Sequence, residues 1–178
     1  NRVRARAIGN SLANLIDEAS EIFIMGHKNA HMDSIGSAIG MLGTVRRKNK
    51  EGFIVLNESN PSIKMIMEAM EKEAPDLFKY IIGSEEAIDL AQKSKSLIIM
   101  LDNHKVYLTE EPRLFGMVDK VVVIDHHRRG NDAIENAVLS YIESYASSTS
   151  ELVAEILEYM DPDMNLTTFE AEAMMAGI

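Results

Sequence analysis

Three short apolar runs end directly in polar side chains, and this repeated pattern most constrains what the chain can fold into. The three runs and the polar residues that follow them are Glu21–Met25 with His27, Ser96–Leu101 with Asp102, and Val121–Ile124 with Asp125. Runs of this kind predict strands that are buried on both faces, as in parallel sheets covered by helices. Because open α/β sheets bind ligands at the carboxyl ends of their strands, the polar residues are candidates for one shared site.

Segments with helical spacing of apolar residues alternate with these strands. These segments are residues 10–20, residues 34–45, one that begins at Pro61, one from Ser84 to near Lys93, one that follows 147–151, and residues 167–178. Further strands are expected at 53–56 and, at an edge of the sheet, at 137–142. The alternation predicts one α/β domain over residues 1–178, with a parallel sheet and right-handed crossovers. Gly36, Gly40 and Gly43 would weaken an isolated helix, so we expect them to let the helix backbone pack closely against the sheet.

The composition limits the kinds of molecule that the protein is expected to bind. With Lys+Arg 18 and Asp+Glu 28, the net charge of −10 argues against binding to duplex nucleic acid, which needs a basic face. A small phosphorylated substrate stays compatible, because bound cations can reverse the local field. The absence of cysteine excludes disulfides and thiolate metal sites. Since no apolar run approaches the roughly 20 residues of a membrane span, we expect no membrane contact by this segment.

The polar residues at the strand ends offer imidazole and carboxylate ligands without sulfur. Such a set suits Mn²⁺, Zn²⁺ or Fe²⁺. Two such ions about 3.5–4 Å apart could clamp a phosphate and generate hydroxide from water. Taken singly, His27 could be a hydrogen-bonded loop residue, and Asp33 or Asp102 could cap a helix. The convergence of three strand ends nevertheless favours a metal or phosphate site.

Three other residues near the same strand ends stay open at this point. Arg128 and Arg129 could contact phosphate or form a solvated pair after the strand. His104 follows Asp102 by two positions, and the sequence does not decide what it does.

The sequence Asp125-His126-His127 after a valine-rich strand resembles the name-giving motif of the DHH phosphoesterases. Gly26-His-Lys-Asn-Ala-His-Met-Asp33 is similar to their first motif, His-x-x-x-Asp-x-Asp, and Asp102 looks like the second motif. Together with Tyr145-Ala-Ser-Ser-Thr-Ser-Glu-Leu152, these segments most resemble the cyclic-di-AMP phosphodiesterases of the GdpP/YybT type. The resemblance covers essentially the whole chain, and it implies a three-layer, Rossmann-like DHH phosphoesterase domain with a parallel sheet.

The resemblance also implies a set of metal ligands. His27 and Asp102 would hold one Mn²⁺, while Asp33, Asp102 and His126 would hold a second. Asp102 would then bridge the two ions. His31 stands where the family usually carries Asp. A neutral, longer imidazole could still ligate the first ion or could turn away.

The remaining roles concern the substrate. Asp125 would support the site, His127 would face the scissile phosphate or its leaving oxygen, and Arg128 would contact phosphate. The catalytic set is thus Asp102, Asp125 and His127. The implied reaction is hydrolysis of cyclic-di-AMP to the linear dinucleotide pApA by a hydroxide that two metal ions activate.

The ends of the chain and the choice of substrate carry further expectations. The chain starts at Asn1 without Met or a signal core and stops at Ile178, before a further metal-binding Asp and the DHHA1 subdomain of the family. We therefore expect a truncated DHH domain, weak or inactive alone, from the cytoplasmic part of a protein anchored in the bacterial cell membrane. A homodimer is compatible with the sequence. The alternatives are a phosphatase of short oligonucleotides or pyrophosphate, and a nucleotide-binding sensor domain whose catalysis has decayed.

Overall fold

The computed structural model describes residues 2–58, 60–163 and 165–178, and the strands in these residues form one parallel sheet. The strands are β1 (Glu21–Met25), β2 (Glu51–Val55), β3 (Ile81–Ile82), β4 (Ser96–Leu101), β5 (Lys120–Asp125) and β6 (Leu139–Ile142). Their order across the sheet is β3-β2-β1-β4-β5-β6. The three apolar runs of the sequence therefore become the neighbouring strands β1, β4 and β5. The strand order reverses between β1 and β4, which is where doubly wound sheets bind their ligands.

Helices cover both faces of the sheet. They are α1 (Arg2–Glu18), α2 (Met32–Arg47), α3 (Lys64–Glu73), α4 (Pro75–Phe78), α5 (Ser84–Leu90), α6 (Thr149–Met160) and α7 (Thr168–Gly177), with 3₁₀ turns at Val106–Leu108 and Pro112–Gly116. One face packs against α1, α2, α3, α6 and α7, and the other against α5 and the second 3₁₀ turn. Alternate residues of β1, β4 and β5 enter the two cores. This arrangement confirms the predicted three-layer α/β fold.

The structure departs from the predicted boundaries mainly at the first helix, which begins at Arg2 instead of near residue 10. None of the helices in the described part of the chain is long and apolar enough to cross a membrane.

The glycines of α2 face another helix and not the sheet. A methyl group on Gly36 would overlap the carbonyl oxygen of Ala173, and methyl groups on Gly40 and Gly43 would meet the side chains of Met174 and Glu170. All three partners belong to α7, so the expectation that these glycines pack against the sheet was wrong. The small residues instead let the backbones of α2 and α7 approach each other closely.

Candidate metal centre

The candidate centre lies where β1, β4 and β5 end. The register pairs Met25 with Met100, and Leu101 with Ile124, so the loops that follow the three strands leave the sheet side by side. The five histidines of the chain all lie in these loops or directly beyond them, at positions 27, 31, 104, 126 and 127. Residues that are far apart in the sequence thus meet at the topological switch point, as the strand pattern predicts.

Asp102 lies at the middle of this cluster. Its φ of 59° lies in the left-handed region, which is uncommon for any residue other than glycine and is often found at functional sites. Its Oδ1 accepts a hydrogen bond of 3.1 Å from the hydroxyl of Thr149. Its Oδ2 is buried and has no hydrogen-bond donor among the described residues. Because a buried carboxylate oxygen without a partner is unfavourable, this atom fits a role as a ligand of a cation.

Three imidazoles surround the carboxylate of Asp102. His31 Nε2 lies 3.6 Å from Oδ2, while His126 Nε2 and His127 Nδ1 lie 3.5 Å and 3.7 Å from Oδ1. The ring of His31 therefore faces the centre. Ligand atoms of Asp102, His126 and His127 lie within 4.8 Å of one another, a spacing that could hold a metal ion. The donors are nitrogen and oxygen, which suits Mn²⁺ among other divalent ions.

The electrostatics of the centre favour the binding of a cation. Burial, followed by the charge of Asp33, raises the pKa of Asp102 from its ordinary range to about 8. Asp125 adds to this increase, and the hydrogen bond from Thr149 offsets part of it. A bound dication would stabilise the ionised carboxylate and lower this pKa again.

Asp33 is held by the start of α6. Its Oδ2 accepts the backbone N–H of Thr149 at 2.9 Å, and its Oδ1 accepts that of Ser150 at 2.8 Å. Asp33 therefore caps α6. The sequence had left open that Asp33 caps its own helix. The negative charge of Asp33 is favourable at the start of α6. His126 Nε2 lies 3.4 Å from Asp33 Oδ2, so Asp33 also borders the centre.

A second carboxylate, Asp125, joins two histidines. Its Oδ1 lies 2.7 Å from His127 Nδ1 and accepts the backbone N–H of His127 at 3.2 Å. Its Oδ2 lies 2.6 Å from Nδ1 of His104, which is buried. The sequence did not reveal this role of His104. The only signal was its position two residues after Asp102, in a segment that resembles an ordinary polar loop.

His27 and Arg128 line a cavity of about 260 Å³ beside the cluster, together with Asp102, Asp125 and His127. Burial, followed by the charge of His31, lowers the pKa of His27, which favours the neutral imidazole that binds metals. Nδ1 of His27 accepts the backbone N–H of Asn29 at 2.9 Å. Arg129 is exposed and is not among the residues that line this cavity. The predicted site residues thus gather at one edge of the sheet.

Comparison with known proteins gives consistent matches along the chain. A family model described as "DHH family, N-terminal domain" matches residues 21–178. Over 99% of its length the chain is 45% identical to "Cyclic-di-AMP phosphodiesterase GdpP" of Geobacillus thermodenitrificans and 42% identical to the protein of the same name from Bacillus subtilis. It spans 27% of the length of each of these relatives.

More distant matches extend the comparison. A "Probable manganese-dependent inorganic pyrophosphatase" of Streptococcus thermophilus is 24% identical over 74% of this chain and 39% of its own length. Among solved structures, an exopolyphosphatase-related protein from Bacteroides fragilis superposes with a TM-score of 0.76 at 19% identity, covering 96% of this chain and 48% of that one. RecJ from Thermus thermophilus in complex with Mn²⁺ superposes with a TM-score of 0.55 at 12% identity, covering 97% and 23%. These structures share the fold.

Proposed function

This chain belongs to the DHH family, and from that premise we propose that the whole protein hydrolyses cyclic-di-AMP to pApA at the centre described above, with weak or no activity from this chain alone. The observation that carries the proposal is the buried Oδ2 of Asp102, which has no hydrogen-bond donor among the described residues, with imidazoles close to the same carboxylate. The names of the relatives at 45% and 42% identity supply the substrate. Because the chain spans 27% of those relatives, the activity of the whole protein is part of this proposal.

The metal roles follow from the donor set. His27, His31, Asp33, Asp102 and His126 are the residues that would hold two Mn²⁺ ions. Nitrogen and oxygen donors without sulfur suit Mn²⁺, and the pyrophosphatase and RecJ matches are described with manganese. When bound, Mn²⁺ would polarise the phosphoryl oxygens and make water a better nucleophile.

The other side chains of the centre act on the substrate. His127 keeps its Nδ1 at Asp125, so its Nε2 is the nitrogen that can face the phosphate. Arg128, on the wall of the cavity, can pair with a phosphate oxygen. Hydrolysis to pApA adds water at phosphorus and breaks the bond from phosphorus to the 3′ oxygen. His127 Nε2 would give the departing 3′ oxygen its proton.

The assay should compare substrates under identical conditions. The purified whole protein is incubated with Mn²⁺ and, in turn, cyclic-di-AMP, a short oligonucleotide and pyrophosphate, and the products are separated by chromatography. We expect pApA from cyclic-di-AMP, and a loss of more than about 100-fold in rate for Asp102→Asn, comparable to the loss of an electrostatic stabiliser of a transition state. Hydrolysis of pyrophosphate alone would favour the phosphatase alternative, which the Streptococcus thermophilus match supports. Binding of cyclic-di-AMP without turnover would favour a sensor domain.

A further inference from the structure

A chain of hydrogen bonds runs from the backbone through His104 to His127. The N–H of Gly130 donates to His104 Nε2 at 3.1 Å. His104 Nδ1 lies 2.6 Å from Oδ2 of Asp125, and the other oxygen of Asp125 lies 2.7 Å from His127 Nδ1. His104 is 2% exposed and Asp125 is 0% exposed, so the bond between them is shielded from water, whereas half of the His127 side chain is exposed.

The backbone N–H of Gly130 determines which atoms donate and which accept along this chain of hydrogen bonds. A backbone N–H can only donate, so Nε2 of His104 must be the acceptor nitrogen of the ring. A neutral imidazole carries its one proton on the other nitrogen, so Nδ1 of His104 donates to Asp125. Asp125 thus receives one donor from His104 on Oδ2 and two from His127 on Oδ1.

We propose that His104 is a positioning residue for phosphodiester hydrolysis, which acts on His127 through Asp125. By donating to Oδ2, His104 fixes the plane of the Asp125 carboxylate and therefore the direction of Oδ1. Oδ1 in turn holds Nδ1 of His127 and leaves Nε2 for the phosphate. The consequence for the reaction rests on the function proposed above, whereas the orientation of His127 does not.

A purely structural role for His104 is the competing explanation. Its backbone carbonyl accepts the N–H of Ile134 at 2.8 Å, and its Nε2 holds Gly130. His104 could therefore serve only to anchor the loop that follows β5. The two nitrogens of the ring separate these roles, because Nδ1 serves Asp125 and Nε2 serves the loop.

Two amide variants test this separation. His104→Asn keeps a donor near the position of Nδ1, while His104→Gln keeps an acceptor near the position of Nε2 and withdraws the donor from Asp125. With cyclic-di-AMP and Mn²⁺, we expect kcat within about fivefold of wild type for His104→Asn and a decrease of about 10- to 100-fold for His104→Gln, within the range of acid–base contributions. KM and Mn²⁺ affinity should change less than about twofold, because the buried ring of His104 bonds to Asp125 and not to a proposed metal ligand. Equal losses, or a larger loss for His104→Asn, would overturn the proposal.

Nuclear magnetic resonance of the histidine rings, recorded without Mn²⁺, gives a readout that does not require turnover. With five histidines in the chain, each ring can be assigned. We expect His104 to carry its proton on Nδ1, and the Nδ1 proton of His127 to persist in His104→Asn but to broaden in His104→Gln. An unchanged His127 signal in His104→Gln would refute the positioning role. If the whole wild-type protein does not hydrolyse cyclic-di-AMP, the proposed function fails while these spectra still decide the role of His104. If His104→Gln does not fold, a wild-type His104 protonated on Nε2 would refute the proposal, and protonation on Nδ1 would support it.

Discussion

At the scale of single residues, Asp102 combines a left-handed backbone with a buried carboxylate, and both are unfavourable in an ordinary core. The surrounding structure maintains both features. Thr149 donates to one oxygen of Asp102, whereas the other oxygen has no hydrogen-bond donor in the part of the chain that the structure describes. A bound cation would resolve this imbalance, so the stability of the metal-free protein should depend on the protonation of Asp102.

The raised pKa of Asp102 determines whether the stability of the metal-free protein rises or falls with pH. Between about pH 4 and about pH 8, the folded protein holds a proton on Asp102 that the unfolded chain has released. The contribution of this group to the free energy of unfolding is complete below about pH 4 and is lost as the pH rises through about 8. Asp102→Asn, which does not titrate, should flatten the pH dependence in this window. Urea denaturation of both metal-free proteins at pH 5, 6, 7 and 8 tests the difference, and parallel curves would contradict it.

Thr149 donates hydrogen bonds to two carboxylates, each from a different group. Its backbone N–H binds Asp33, and its hydroxyl binds Asp102. Thr149→Val removes only the hydroxyl, and we expect Mn²⁺ affinity to fall about 10- to 100-fold, as for other partners that orient a metal ligand. Thr149→Ser keeps the hydroxyl and serves as the matched control. Titration calorimetry with Mn²⁺ measures both, and equal affinities would show that the hydroxyl does not orient Asp102.

The sequence predicted which residues assemble at the site better than it predicted what holds them. His27, Asp102, Asp125 and the two following histidines were found because each follows a strand, and neighbouring parallel strands end together. The hydrogen-bond partners of Asp33 and Asp102 were not predicted from the sequence. They lie on α6, which is 116 positions from Asp33 and 47 positions from Asp102. No local pattern encodes such a contact, which depends on how α6 packs across α2.

At the scale of elements, the glycines of α2 illustrate the same limit. Their spacing indicated a close contact on one face of the helix, which the structure confirms, but the choice of partner required the position of α7. The early start of α1 was not predicted, and the reason is local. Arginine alternates with smaller residues in Arg2–Arg6, so this segment lacks the apolar spacing that predicted the rest of the helix. Only Ala5 is buried in it, among the residues that the structure describes.

The close contact between α2 and α7 can be tested at Gly36. A methyl group there would overlap the backbone carbonyl of Ala173, which cannot move as a side chain can. We expect Gly36→Ala to lower the free energy of unfolding by about 1–3 kcal/mol, as for other overpacked sites. Gly116→Ala is the control, because a methyl group there meets nothing within 4 Å and its φ is not positive. Urea denaturation compares them, and similar stabilities would argue against a rigid contact between α2 and α7.

At the scale of the whole molecule, the candidate metal centre brings together side chains from loops that also contact one another directly, as in the bonds from Lys28 to Leu108 and from Ile134 to His104. The proposed ligands come from the loops after β1, β4 and β5 and from the first turn of α2, and Asp33 connects them to α6. The net charge of −10 makes cations favourable near the protein in general. Specific binding at the centre must therefore be distinguished from this general attraction.

Thermal unfolding with and without metal makes the distinction. A ligand that binds only the folded state at 100 times its Kd stabilises it by about 2.7 kcal/mol, so Mn²⁺ should raise the Tm clearly. Mg²⁺ at the same concentration should raise it less, because Mg²⁺ prefers all-oxygen octahedral coordination. His126→Ala removes a proposed nitrogen ligand without changing the carboxylates, and it should remove most of the effect of Mn²⁺. Glu68→Gln, on an exposed part of α3, removes one negative charge that is not part of the proposed ligand set and should leave that effect intact. If Mn²⁺ stabilised the His126→Ala variant as strongly as wild type, the attraction would be general and the centre would not be the binding site.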